Sequence, residues 1–266
     1  MIRHALRAFP TLLRIGFAEM VAYRAEFLVW ILTTNMPLVM MALWSAVAAE
    51  APVGRFGQRE FVTYFLAVLV VRILTSSWMV WELTMDIRQG RLATRLLRPL
   101  HPLLAYSAQH LAAVPMRALV VSPLVVVLLV VNKAHFAVGD PRMLGLFLLS
   151  LVGAWLLLFS TMVLIGTLAM FVDSALSAFE LWLGIHFALS GYLYPLELLP
   201  HWLSGVARVL PFRYMLGFPA EVLVGLLRGP AAWSALGTQW LYVVAHVGAV
   251  VVVWRAGMRR FVAFGG

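Results

Sequence analysis

Four arginines, at positions 88, 91, 95 and 98, stand in "DIRQGRLATRLLRPLHPL", residues 86–103, the most polar stretch of an otherwise mostly apolar chain. Steps of three, four and three residues put all four on one face if the stretch is helical, because an α-helix turns every 3.6 residues. Such a row can bind anionic lipid headgroups or meet a protein partner. Charged residues inside long apolar runs are the second set of candidates, since they are costly there and face a bundle interior or an aqueous path. Arg72 and Arg117 lie in two such runs. In another, Asp173, Ser177, Glu180, Gly184, Ala188 and Gly191 recur at helical steps and form one polar or small face, which lets a helix or a substrate come close. Glu180 paired with Arg72 or Arg117 would be a structural ion pair; the alternative is a substrate or gating role.

Bond-making chemistry finds no residues to carry it. A phosphate-cradling loop needs Gly-Lys-Ser/Thr, but the single lysine, Lys133, sits in "VVNKAHF" with no glycine before it. The seven histidines never form His-Glu-x-x-His or another close ligand set. No Gly-x-Ser-x-Gly elbow occurs, and cysteine is absent. No catalytic residue, metal ligand or cofactor-binding residue is therefore expected in this chain.

The elements that position the candidates are membrane helices. With 63% hydrophobic residues, 12% charged and a mean hydropathy of +0.94, the 266-residue chain carries more apolar surface than a soluble globule could bury. The runs 27–49, 61–81, 107–131, 143–170, 174–193 and 236–254 each approach or exceed the ~20 residues a helix needs to cross hydrocarbon. Six spans are expected. No cleavable signal is evident, because residues 2–20 instead place Ile2, Leu6, Phe9, Leu13, Phe17 and Met20 at steps of three and four beside Arg3, Arg7 and Arg14. That pattern predicts an interfacial helix, bent at Pro10.

Basic residues are retained on the cytoplasmic side of a membrane. With both termini inside, the inside segments hold eleven arginines and the outside segments seven basic residues. A cytoplasmic-membrane protein with N and C termini inside is expected. The net charge of +9 suits an anionic inner leaflet better than nucleic acid, for which no soluble basic domain is left over.

Residues 194–235 are too apolar for a solvated loop, yet Pro195, Pro200, Pro211 and Pro219 cut them into pieces too short to cross. Short helices dipping into the outer leaflet reconcile the two facts, provided protein or a cavity covers the broken backbone. A re-entrant segment over 194–217 is expected, with Gly205 between its apolar faces.

The order of the interfacial helix, "AYRAEFLVWIL", "DIRQGRLATRLLRPLHPL" and "SGYLYPLELLPHWLSGVARVLPFRYMLGFPAEVLVG" resembles the permease subunits of ATP-binding-cassette exporters of the type-2 class, in their six-span branch, over essentially the whole chain. The resemblance implies an all-α membrane permease that makes no bonds itself, works as a pair with a second copy or a related permease, and couples to a separate ATPase subunit that binds ATP and Mg. It implies that 86–98, ended by Pro99, is the coupling helix that docks on that ATPase, with Asp86, Arg88, Arg91, Arg95 and Arg98 as docking residues. Pro195, Pro200, Gly205 and Pro211 would belong to an external lid, and Arg72, Arg117 and Glu180 to the path or to intramembrane ion pairs. A proton-coupled carrier using Arg72, Glu180 and His186, or an intramembrane lipid-modifying enzyme, is the competing expectation; an enzyme would need clustered acidic or histidine residues, and the eleven acidic residues are scattered.

Overall fold

Apolar sequence on every side of a helix leaves no polar face for water, so such helices must pack together or meet lipid. The computed structural model describes residues 2–23, 25, 29, 36–131 and 140–261, with side chains from Ala8 onward in the first helix. Residues 27, 28 and 30–35 of the first expected span, together with Arg24 and Lys133, lie outside the described residues. The elements are α1 (Ile2–Ala22), α2 (Met36–Glu50), α3 (Gln58–Thr75), α4 (Met79–Arg88), α5 (Arg91–Leu96), α6 (Pro102–Ala112), α7 (Val114–Val131), α8 (Pro141–Thr167), α9 (Ala175–Leu189), α10 (His201–Val209), α11 (Pro211–Met215), α12 (Gly217–Leu223) and α13 (Gly229–Met258), with short 3-10 turns at Leu168–Met170 and Leu196–Leu198. No β-strand occurs among the described residues.

Four stretches are long and apolar enough to cross a membrane: Gln58–Arg88, Pro102–Val130, Pro141–Met170 and Gly229–Met258. Met36–Glu50 and Ala175–Leu189 are shorter apolar helices. The first of these stretches breaks between Thr75 and Met79, and the second between Ala112 and Val114. The last begins seven residues before the expected boundary at 236 because Pro230 occupies its first turn, where a missing N–H costs nothing. Helix starts elsewhere follow sequence signals: Asp140 accepts from the Arg142 N–H at 2.9 Å ahead of Pro141, and the His101 Nδ1 accepts from the Leu103 N–H at 3.3 Å ahead of Pro102. Burial holds the His101 imidazole below its ordinary pKa, which keeps that nitrogen an acceptor.

The central helix is α8, with α13, α4, α9, α11, α12 and α3 packed around it. Gly153 of α8 makes room for a side chain of α13. A Cβ there would stand 2.7 Å from the Gln239 amide of α13. That buried amide donates to the carbonyls of Ser150, at 2.9 Å, and Tyr214, at 2.8 Å, tying α13 to α8 and α11. The outer surfaces of α7 and α13 expose Leu119, Val126, Leu241, Val244 and Val252, as lipid-facing helices do.

Contacts sort the connections into two ends. At one, Arg88 donates to the Asp173 carbonyl between α8 and α9, and Arg260, just after α13, lies over the Phe171 ring at 5.4 Å. At the other, Arg55, between α2 and α3, pairs with Glu197, and the Trp44 indole donates to the Leu193 carbonyl at 2.9 Å. α1 runs unbroken through Pro10 and packs on α6. Its closest approach is at Gly16, one residue from the expected apolar stripe, where a Cβ would stand 2.9 Å from the Ala112 Cβ.

The proline-broken segment enters the bundle from the Glu197 end. Pro195 and Pro200 precede the 3-10 turn and α10, and Pro211 begins α11. Pro219 falls in the first turn of α12, so it begins a helix there. The most buried part therefore runs past the expected boundary at 217, and every residue from Tyr214 to Val224 is buried. Gly205 does not sit between packed faces: it is exposed and has nothing within 4 Å of a Cβ. Close packing falls instead on Gly217, where a Cβ would stand 2.5 Å from the Ser190 carbonyl oxygen, and on Gly191, at φ +88°. Gly217→Ala should cost about 1–3 kcal/mol by overpacking, whereas Gly205→Trp should leave the thermal midpoint in detergent unchanged.

Candidate functional site

A glycine after a helix end, at a positive φ that other residues rarely adopt, turns the chain. Gly90, at φ +71°, does this between α4 and α5. The four arginines are therefore not one face of one helix. Arg88 ends α4, Arg91 and Arg95 lie on α5, and Arg98 follows it.

Asp86 is 1% exposed and is not available to dock on anything. Its Oδ2 accepts from the Tyr106 hydroxyl at 2.5 Å, its Oδ1 from the Arg91 Nε at 2.6 Å, and the Arg95 Nε lies 2.7 Å from Oδ2. Arg95 also reaches the Glu82 carboxylate at 3.3 Å and lies over the Tyr106 ring at 4.4 Å. The other Glu82 oxygen stands 3.5 Å from His110 Nε2. One carboxylate thus clamps α4, α5 and α6 together, and Arg91 and Arg95 are mainly its partners. What projects is Leu97, at 87% exposure, followed by the exposed Arg98 and Pro99. Asp86→Asn should lower stability by about 2–3 kcal/mol, less than for a fully buried pair because Arg91 is half solvated; detergent melting checks it.

The intramembrane candidates do not meet. Arg117 donates to the Ser76 carbonyl at 2.6 Å, at the break between α3 and α4. Arg72 lies over the Tyr192 ring at 5.7 Å. Glu180 is exposed on α9 and forms no ion pair with either arginine, because α9 turns that side outward. Glu180→Gln should accordingly leave folded yield and melting unchanged.

The buried ion pair that does form joins Arg213 and Glu221, through Nη2 to Oε2 at 2.5 Å and Nε to Oε1 at 3.3 Å. It links α11 to α12, and both side chains are largely buried. Neighbouring Tyr64 of α3 donates to the Gly191 carbonyl at 2.8 Å. Neither spacing nor motif in the sequence singles out Arg213, Glu221 or Gln239. The one available signal was charge and amide inside apolar sequence.

α10 carries its apolar residues on the open side. Trp202, Val206 and Val209 are exposed, while Ser204 and Ala207 are buried. Such a face suits lipid or a neighbouring chain.

Helices long and apolar enough to cross a membrane pack around a buried, proline-broken segment and a clamped elbow, as in an integral membrane protein. The family model of the ABC-2 family transporter protein matches residues 20–265, and the chain belongs to that family. It is an integral-membrane permease subunit of an ATP-binding-cassette transporter, a family whose permeases pair with an ATPase subunit. No curated protein matches the chain.

Proposed function

We propose that this chain is the path-forming subunit of an ATP-driven exporter, seated in the cytoplasmic membrane with both termini inside. It works with a second copy or a related permease, above two ATPase subunits that bind ATP and Mg. The supporting observation is the Leu97 prominence: a large apolar side chain held out at the end of the bundle where α5 and the α8–α9 connection gather. An exposed apolar anchor rimmed by arginine is what a protein partner buries at the centre of an interface. Closure of the ATPase on ATP then moves helices around the path, provided the closed ATPase binds one permease conformation more tightly than the other.

Six crossings fit the alternation of connections between the two ends, with Met36–Glu50 and Ala175–Leu189 as the first and fifth. The segment from Pro195 to Pro211 then lies on the outer side as a lid. Gentle purification from native membranes should recover an ATP-binding-cassette ATPase with the chain. Recovery of the permease alone, from membranes that contain the ATPase, would count against the coupling role.

Membrane placement has its own test, made clean by the absence of cysteine. Cysteines at Leu199, Trp202 and Val209 should react slowly with a membrane-impermeant thiol reagent, because their open faces meet lipid or a partner, and a cysteine at Arg55 should react fast. Fast reaction at all four would make the segment a solvated loop.

A further inference from the structure

Beneath α1 two cavities run together. The larger, about 950 Å³, is lined by Tyr23, Trp78, Trp81, His110 and Arg117, and falls in the size range of small-molecule sites, ~300–1,000 Å³. The smaller, about 420 Å³, opens among Arg91, Thr94, Arg95 and Arg98. Gly16, Glu19 and Gln109 line both, so an aromatic chamber adjoins a basic mouth. The chamber lies at membrane depth, because Trp78 and Trp81 belong to the apolar stretch Gln58–Arg88. The mouth lies where that stretch ends.

The charges at the mouth select the occupant. Arg98 is exposed, and its guanidinium makes no hydrogen bond or ion pair among the described residues. Arg91 spends its Nε on Asp86 and its Nη1 on Gln89, which leaves Nη2 at the end of a half-exposed side chain. Glu19 is exposed at the same mouth and has no ion-pair partner among the described residues. A purely anionic head would meet Glu19, and a purely cationic one would meet the arginines. Inside the chamber Glu82 is turned to Arg95 and His110, and Arg117 gives one terminal guanidinium nitrogen to the Ser76 carbonyl while its Nε has no hydrogen-bond partner among the described residues.

We propose that this cleft binds a phospholipid with a phosphoethanolamine head, the phosphate on Arg98 and Arg91, the ammonium on Glu19, and an acyl chain between Trp78 and Trp81. The lipid fills the space under α1 and fixes that helix against α6 and α7. The assignment depends on membrane placement and not on ATPase docking, so either can fail alone.

The test uses the delipidated full chain in detergent. Palmitoyl-oleoyl phosphatidylethanolamine and the same-chain phosphatidylglycerol are titrated separately, with bound lipid counted by native mass spectrometry. The ethanolamine lipid should bind about fivefold more tightly, the effect of one well-placed charge. Arg98→Ala should weaken both lipids by about fivefold, and Glu19→Gln should abolish the preference between them. Both side chains are exposed, and melting without lipid checks that the variants fold. As a second measurement, phosphatidylethanolamine with a brominated acyl chain should quench tryptophan emission in the wild type, and the quenched component should disappear in Trp78→Phe/Trp81→Phe. Equal or tighter binding of phosphatidylglycerol to the wild type would overturn the headgroup assignment. Quenching that survives the double substitution would place the acyl chain elsewhere and overturn the site.

Discussion

Leu97→Asp should release the ATPase subunit from the purified complex while leaving the permease folded. The side chain is 87% exposed, so its replacement should cost the isolated permease little. An apolar anchor at the centre of an interface contributes on the order of 2 kcal/mol or more, roughly 30-fold in affinity. An aspartate placed there adds the cost of burying an unpaired charge. ATP-driven export should fall with the lost association. The informative contrast is Arg91→Ala, which loosens the Asp86 clamp but leaves the prominence in place: it should reduce melting temperature before it reduces binding. A Leu97→Asp permease that still co-purifies with its ATPase at wild-type stoichiometry would move the docking surface away from α5.

Glu221→Gln should be the most destabilising single conservative change in the chain. It leaves the Arg213 guanidinium without its anion inside apolar surroundings, at a cost of about 3–5 kcal/mol. Folded yield and the thermal midpoint in detergent should both drop sharply. The pair is nonetheless replaceable, because taking two charges out of water costs nearly what their attraction returns. Arg213→Met combined with Glu221→Leu should therefore recover most of the stability that Glu221→Gln loses. Failure of the double variant to recover would mean that the pair itself, and not merely charge balance, specifies how α11 and α12 fold back into the bundle.

Much of this architecture was legible in apolar run lengths, which placed the long apolar helices within seven residues of their boundaries; six crossings remain a proposal. What misled was local. A single glycine in a helical pattern is tolerated often enough that Gly90 carried no visible signal, and only its positive φ separates Arg88 from Arg91 and Arg95. Asp86 looked like part of a charged surface because its three partners are spread along the chain, the most distant being Tyr106, 20 positions on. The helical spacing of the arginines gave the same periodicity whether they faced outward or inward on a carboxylate. Glu180 was read as buried because it lies in an apolar run, although one side of α9 has no helix against it. Pro219 looked like a breaker, and its place in the first turn of α12 becomes visible only once the helix is seen.

The Asp86 clamp also bears on mechanics. A short helix on a glycine pivot would by itself be a loose flap, and a force applied at its tip would be spent in swinging it. Here the tip is braced: Arg91 and Arg95 anchor α5 to the carboxylate on α4, and the Tyr106 hydroxyl anchors α6 to the same atom group. Displacement at Leu97 should thereby be delivered to α4 and α6 together, so that the two helices travel as one rigid lever. Spin labels on α4 and α6 should keep a constant separation through the transport cycle, while labels on α4 and on the far side of α9 should not. The stroke of such a machine is set where the lever meets the rest of the bundle, at the helix break beside Ser76, whose carbonyl is held by Arg117.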